Sequence, residues 1–159
     1  MKYMAFLSLL FAPVLHAQAV PSAGTYLSDA ELRRTIESAA EAQGGRPGLY
    51  TIRLSSKSEN PVFGIRRTAA GNAEVHAAFT DVWYVIEGAA TLVTGGDVVG
   101  GTATPPGETQ GQSIKGGNSR TLQKGEFAVI PAGVPHWVSG IEGKELLYIV
   151  VKMPVLTAK

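Results

Sequence analysis

The chain has 159 residues, 45% hydrophobic and 17% charged, with 14 basic residues against 13 acidic ones and a formal net charge of +1. This length suits one domain with a real core, and the balanced charge excludes the clustered Lys/Arg face of a nucleic-acid-binding protein. There is no cysteine, which excludes disulfides and a lipid-modified cysteine, while 19 glycines and 9 prolines supply the turns that an all-β chain requires.

The segment MKYMAFLSLLFAPVLHAQA has the layout of a secretory leader: Lys2, an apolar run from Met4 to Leu15, and the small-residue site Ala17-Gln18-Ala19. An apolar run of about a dozen residues broken by Pro13 is too short for a spanning helix, which needs roughly 20. The expectation is cleavage after Ala19 and a secreted or periplasmic protein with no membrane attachment. Cleavage removes Lys2 and His16, leaving a formally neutral chain whose histidines are His76 and His136.

After a linker, Ser28-Asp29-Ala30-Glu31 forms a capping box. Leu32, Ile36, Ala39 and Ala40 then recur at helical spacing until Gly44-Gly45. This predicts an amphipathic helix covering a sheet edge or face. From Leu49 the period changes. LYTIRLS, PVFGIRR, DVWYVIEG, ATLVTGG, EFAVIP and LLYIVVK are short β-branched and aromatic runs between Gly, Pro, Asn and Ser, which predict antiparallel strands. Glu87-Gly88-Ala89 reads as a tight turn between two of them. Gly95 to Gly117 reads as a long Gly/Pro-rich loop, either a lid or a disordered insertion. The expected organisation is a leader over 1–19, a linker and helix over 20–47, a β-barrel over 48–153 and a tail over 154–159.

Two stretches carry chemistry. EVHAAFTD puts His76 between Glu74 and Asp81, and GEFAVIPAGVPH runs from a turn at Gly125 through a strand to a bend at Pro131-Ala132-Gly133 that feeds His136 inward. GEFAVIPAGVPH resembles the second motif of the cupin superfamily, and DVWYVIEG resembles the end of its first. The resemblance covers roughly Leu49 to Lys152. It implies a double-stranded β-helix, or jelly-roll barrel, holding a metal, in a family that includes dioxygenases, isomerases, decarboxylases, sugar-binding regulators and storage proteins. Aligned on Gly88, Asp81 takes the place of the family's glutamate and His76 the second position of its His-x-His pair. Glu74 stands at the first, so the pair here is Glu-x-His.

Residues two apart on a strand share a face, so Glu74 points inward if His76 does. A carboxylate in an apolar barrel is costly unless paired or bound to a cation. Two imidazoles and a carboxylate suit one divalent ion, Fe(II) first, with Mn(II), Zn(II) and Ni(II) also compatible. The candidate metal set is Glu74, His76, His136 and Asp81, the last either a ligand or an outer acceptor orienting an imidazole. The alternative is a metal-free cavity with Glu74 paired to Arg66 or Arg67. Candidate substrate contacts are Tyr50, Arg53, Arg66, Trp83 and Phe127, and an inward arginine would favour a carboxylate-bearing ligand. Trp83 and Phe127 also fit a core role. Trp137, next to His136, should face the other way. The expected function is a metal-dependent oxygenase, isomerase or lyase acting on a small organic molecule. The alternative is a non-catalytic sugar- or carboxylate-binding cupin, and the resemblance also implies a homodimer.

Overall fold

The computed structural model describes residues 24–42, 47–56, 60–104 and 107–155. The expected leader and the Gly44-Gly45 and Pro105-Pro106 pairs lie outside the described residues. In chain order the elements are α1 (Asp29–Glu37), β1 (Ala40–Glu41), β2 (Leu49–Arg53), β3 (Val62–Arg67), β4 (Ala73–His76), β5 (Phe79–Thr94), β6 (Asp97–Val99), β7 (Thr102–Thr104), β8 (Glu108–Gly111), β9 (Ser113–Lys115), β10 (Asn118–Gln123), β11 (Phe127–Ile130) and β12 (His136–Pro154). Among the described residues no helix is long and apolar enough to cross a membrane.

The helix begins at the capping box. The Glu31 amide donates to Ser28 Oγ at 3.4 Å, and the Ser28 amide donates to Glu31 Oε2 at 2.9 Å. It ends earlier than the glycine pair suggested, at Glu37, with the Ser38 amide bonded to the Arg34 carbonyl. Ala40 and Glu41 instead pair with Thr51 and Tyr50 of β2. Ladder hydrogen bonds here override the helical preference of an alanine-rich segment.

β5 and β12 pair from Phe79↔Pro154 to Thr94↔His136 and bend together. Glu87-Gly88-Ala89, expected as a turn, lies inside β5. Gly88 has φ +81°, and opposite it the register jumps from Glu142↔Ala89 to Leu147↔Glu87. The result is a bulged bend, not a reversal. A Cβ on Gly88 would also sit 2.2 Å from the Glu145 carbonyl oxygen. Beyond the bend each long strand changes partners. The first part of β5 pairs with β11 and the second with β10, while β12 pairs with β4 near its start and with β3 from Leu146 to Val151. Two sheets sharing the bent strands result, β1-β2-β3-β12-β5-β11 and β7-β8-β4-β12-β5-β10, as a jelly roll requires.

The segment 95–117 is not a plain loop. β7 pairs with β8 and β8 with β4, extending the second sheet, while β6 and β9 pair as a separate two-stranded sheet. Its small and polar residues concealed the strands, because a ladder needs only backbone groups.

Inward residues of both sheets, among them Ile65, Trp83, Val85, Leu92, Leu122, Val138, Leu146, Tyr148 and Val150, form the main core. Alternate residues face out, where Ile36 of α1 packs with Ile86 and Leu147, joined by Leu32 and Ile149. The helix therefore covers a sheet face, and Gly64 lets it approach: a Cβ there would lie 2.4 Å from Ile36 Cγ1. Gly64→Ala is expected to cost about 1–3 kcal/mol by overpacking and Ile36→Ala about 2–5 kcal/mol. In denaturant unfolding the double variant should lose less than the sum, since the smaller side chain makes room for the new methyl.

Candidate metal centre

Glu74 and His76, two apart on β4, both face the space between the sheets, and Glu74 lies directly opposite His136 on β12. The bend after β11 delivers His136 to this point. The Val134 amide closes a turn onto the Pro131 carbonyl at 3.1 Å, Gly133 takes φ +78°, and its amide donates to the His76 carbonyl at 2.9 Å. The turn that precedes β12 is thereby hydrogen-bonded to the end of β4. The Glu74 carboxylate and the two imidazoles each offer one ligand atom, and these atoms all lie within 4.8 Å of one another. Trp137 faces away from the site, its indole N–H donating to the Gly71 carbonyl at 2.8 Å.

The protonation pattern favours a cation. His136 is 2% exposed. Its Nδ1 faces the Val134 carbonyl at 3.2 Å and so carries the proton, while buried Nε2 meets no hydrogen-bond partner among the described residues. Burial, with His76 next to it, holds the His136 pKa below its ordinary value of 6.5. The free lone pair thus persists at neutral pH. His76 Nδ1 contacts the Glu108 carboxylate, which turns Nε2 toward Asp81 Oδ2 at 3.6 Å and Glu74 Oε2 at 3.9 Å. A neutral imidazole would then aim its lone pair at two carboxylates, an arrangement that a shared cation relieves. Two imidazole nitrogens and a carboxylate, with a further carboxylate behind one ring, fit a divalent transition metal.

Sequence reasoning missed Glu108 and Lys152. Glu108 lies on β8 and is brought to the site by its pairing with His76 across the β4–β8 ladder. Its only trace in the sequence was a short polar run between Gly107 and Gly111. Lys152 Nζ holds both oxygens of Asp81, at 2.9 and 3.1 Å, so this carboxylate, 2% exposed, is already neutralised. Alternation along β12 puts Lys152 on the same face as Tyr148 and Val150.

Glu74, His76, Asp81 and Trp83 line a cavity of about 240 Å³, together with Arg67, Tyr148, Lys152 and apolar residues of β2 and β3. The other proposed substrate contacts lie elsewhere. Leu49, Thr51, Phe63, Ile65 and Arg67 face the cavity, so strand parity sends Tyr50 and Arg66 to the outer surface. There the Arg66 guanidinium stacks 4.0 Å from the Tyr50 ring centroid and reaches Glu145. Arg53, at the end of β2, turns to the carbonyls of Ser55 and Ser56. Phe127 is 69% exposed beside Tyr84 and lines a separate cavity of about 630 Å³ along β10 and β11. That larger cavity holds none of the ligand triad. Neither Arg66 nor Arg67 forms an ion pair with Glu74, whose partner among the described residues is His76.

No protein-family model matches the chain, and no curated protein sequence matches it. Solved structures do. A Klebsiella pneumoniae protein with a double-stranded β-helix domain is 16% identical, with a TM-score of 0.54 over 83% of this chain and 91% of its own. The FeII form of HppE is 15% identical, with a TM-score of 0.53 over 84% of this chain and 65% of its own. Drosophila melanogaster CENP-C, solved bound to CAL1, is 11% identical, with a TM-score of 0.50 over 72% of this chain and 75% of its own. The chain therefore has the double-stranded β-helix fold. An iron(II) protein and a protein bound to another protein share that fold, so function has to be argued from the site.

The depressed His136 pKa makes stability depend on pH. As pH falls below about 6.5, the unfolded chain takes up a proton that the folded imidazole refuses, so folding stability falls. For chelator-treated protein, thermal unfolding between pH 7 and pH 5 should show a shallower loss of stability in His136→Asn than in the unmodified chain.

Proposed function

We propose that this protein is an exported cupin that binds one divalent transition metal through Glu74, His76 and His136 and takes a small organic molecule into the adjoining cavity. The observation that carries this reading is the buried, partnerless Nε2 of His136, converging with the Glu74 carboxylate and the His76 ring. A metal-free binding protein would leave that nitrogen unmet at a cost of about 1–3 kcal/mol. Iron, manganese, zinc and nickel all suit the donor set, and HppE, solved in its FeII form, has the same fold.

Such an ion supplies Lewis acidity or oxygen activation at the positions its protein ligands leave open, which suits an oxygenase, isomerase or lyase. The chain's own residues set up the rest. Glu108 fixes the His76 ring, Lys152 keeps Asp81 neutralised beside it, and Trp83 walls the site edge-on to His136 at 5.6 Å between centroids. The leader segment supports export with cleavage after Ala19. The partners are a small-molecule ligand and, as in many cupins, a second copy of the chain; neither nucleic acid nor membrane is expected.

Thermal unfolding with added Fe(II), Mn(II) or Zn(II) tests the reading. An ion at about 100 times its Kd should raise stability by about 2.7 kcal/mol. His136→Ala and Glu74→Gln should abolish the rise, and retention of the full effect in both would remove the triad as the site. Glu108→Gln should weaken metal affinity by about 10–100-fold without changing stoichiometry.

A further inference from the structure

Arg67 is a buried cation on which Glu74 acts from beyond ion-pair contact. It is 5% exposed, and among the described residues no carboxylate lies within ion-pair distance of it. Its hydrogen bond is from Nε to the Tyr148 hydroxyl at 2.8 Å. A buried guanidinium with no carboxylate in direct contact is costly, which suits it to receive an anion. The backbone is shaped around it: a Cβ on Gly71 would lie 2.3 Å from Arg67 Nη1.

Two more donors stand beside it. Tyr148 accepts from Arg67 and thus keeps its own O–H free to donate; burial, its largest influence, pushes its pKa upward, so the proton stays on. The indole N–H of Trp83, 3% exposed and with its ring centroid 5.0 Å from that of Tyr148, has no acceptor among the described residues. All three residues line the cavity that holds Glu74 and His76. With a divalent ion at the triad, Glu74, Asp81 and Glu108 against Arg67 and Lys152 leave one positive charge unmatched.

From this juxtaposition we propose that the cavity takes a small carboxylate, its anionic end held by Arg67 and Tyr148 and its other polar end turned toward the triad. The charge balance and the placement of the second end rest on the metal-binding reading; the donor set of Arg67, Tyr148 and Trp83 does not. A guanidinium fork matches a carboxylate's two oxygens, and the cavity of about 240 Å³ limits the ligand to a compact organic acid.

Glycolate and ethylene glycol differ in replacing a carboxylate by an alcohol and serve as probes. Binding is followed by NMR titration of the protein purified in its exported form, with and without Zn(II). Glycolate should bind and ethylene glycol should not. Arg67→Met and Tyr148→Phe should each weaken glycolate by about tenfold or more while leaving Zn(II) affinity within about threefold. Tyr148→Phe keeps the ring in the core, so it remains informative if Arg67→Met does not fold. Glycolate binding without Zn(II) uptake, lost in the variants, would support the carboxylate site and remove the metal reading. Zn(II) uptake with glycolate affinity unchanged in a folded variant, or with ethylene glycol bound equally well, would overturn the carboxylate site alone.

Discussion

The bent ladder between β5 and β12 is the constraint on which the site depends. His136 and Lys152 are sixteen positions apart on one strand, about 50 Å if it ran straight. Yet the His136 ring centroid is 5.0 Å from that of His76, while Asp81, gripped by Lys152, reaches to within 3.6 Å of His76 Nε2. The kink at Gly88 and the bulge opposite it fold both strands over, so that their ends come to one cavity from two sheets. Glycine is required there because the backbone has φ +81° and the Glu145 carbonyl leaves no room for a Cβ.

Once the ends meet, electrostatics decides what each polar group does. The interior holds Glu74, Asp81, Lys152, Arg67 and two imidazoles, a costly collection for a barrel otherwise filled by Ile, Val, Leu and Trp. Asp81 and Lys152 satisfy each other, and Glu108 serves His76 from behind. Among the described residues, His136 Nε2 and the indole N–H of Trp83 find no hydrogen-bond partner, and Arg67 has no carboxylate in ion-pair contact. The first is a lone pair suited to a cation, and the other two are donors suited to an anion. Arg67 and Trp83 line the cavity beside Glu74 and His76, and the His136 ring lies next to that of His76, the arrangement expected of a metal that shares its substrate with a carboxylate clamp.

Some of this was legible in the sequence because it rests on local rules. The Ser28 capping box, the period-two parity that sets Glu74 beside His76, and the Pro131–Gly133 bend that turns His136 inward all involve residues close in the chain. The remainder depends on pairing between distant segments. Glu108 matters only because β8 lies against β4. Arg67 faces inward where Arg66 was favoured, since one residue of register decides the side. Gly88 read as a turn because a positive-φ glycine between two strands serves a hairpin or a bend equally well, and only the partner strand chooses. The 95–117 segment lacks the apolar alternation that marks strands, because its short ladders, one at a sheet edge and one a separate pair, bury little.

Anomalous diffraction from crystals of the full chain grown with Mn(II) tests the central reading most directly. A single strong peak within ligation distance of the Glu74 carboxylate, His76 Nε2 and His136 Nε2 is the predicted result. Well-ordered crystals with no peak there, and with His136 Nε2 hydrogen-bonded to water, would contradict it.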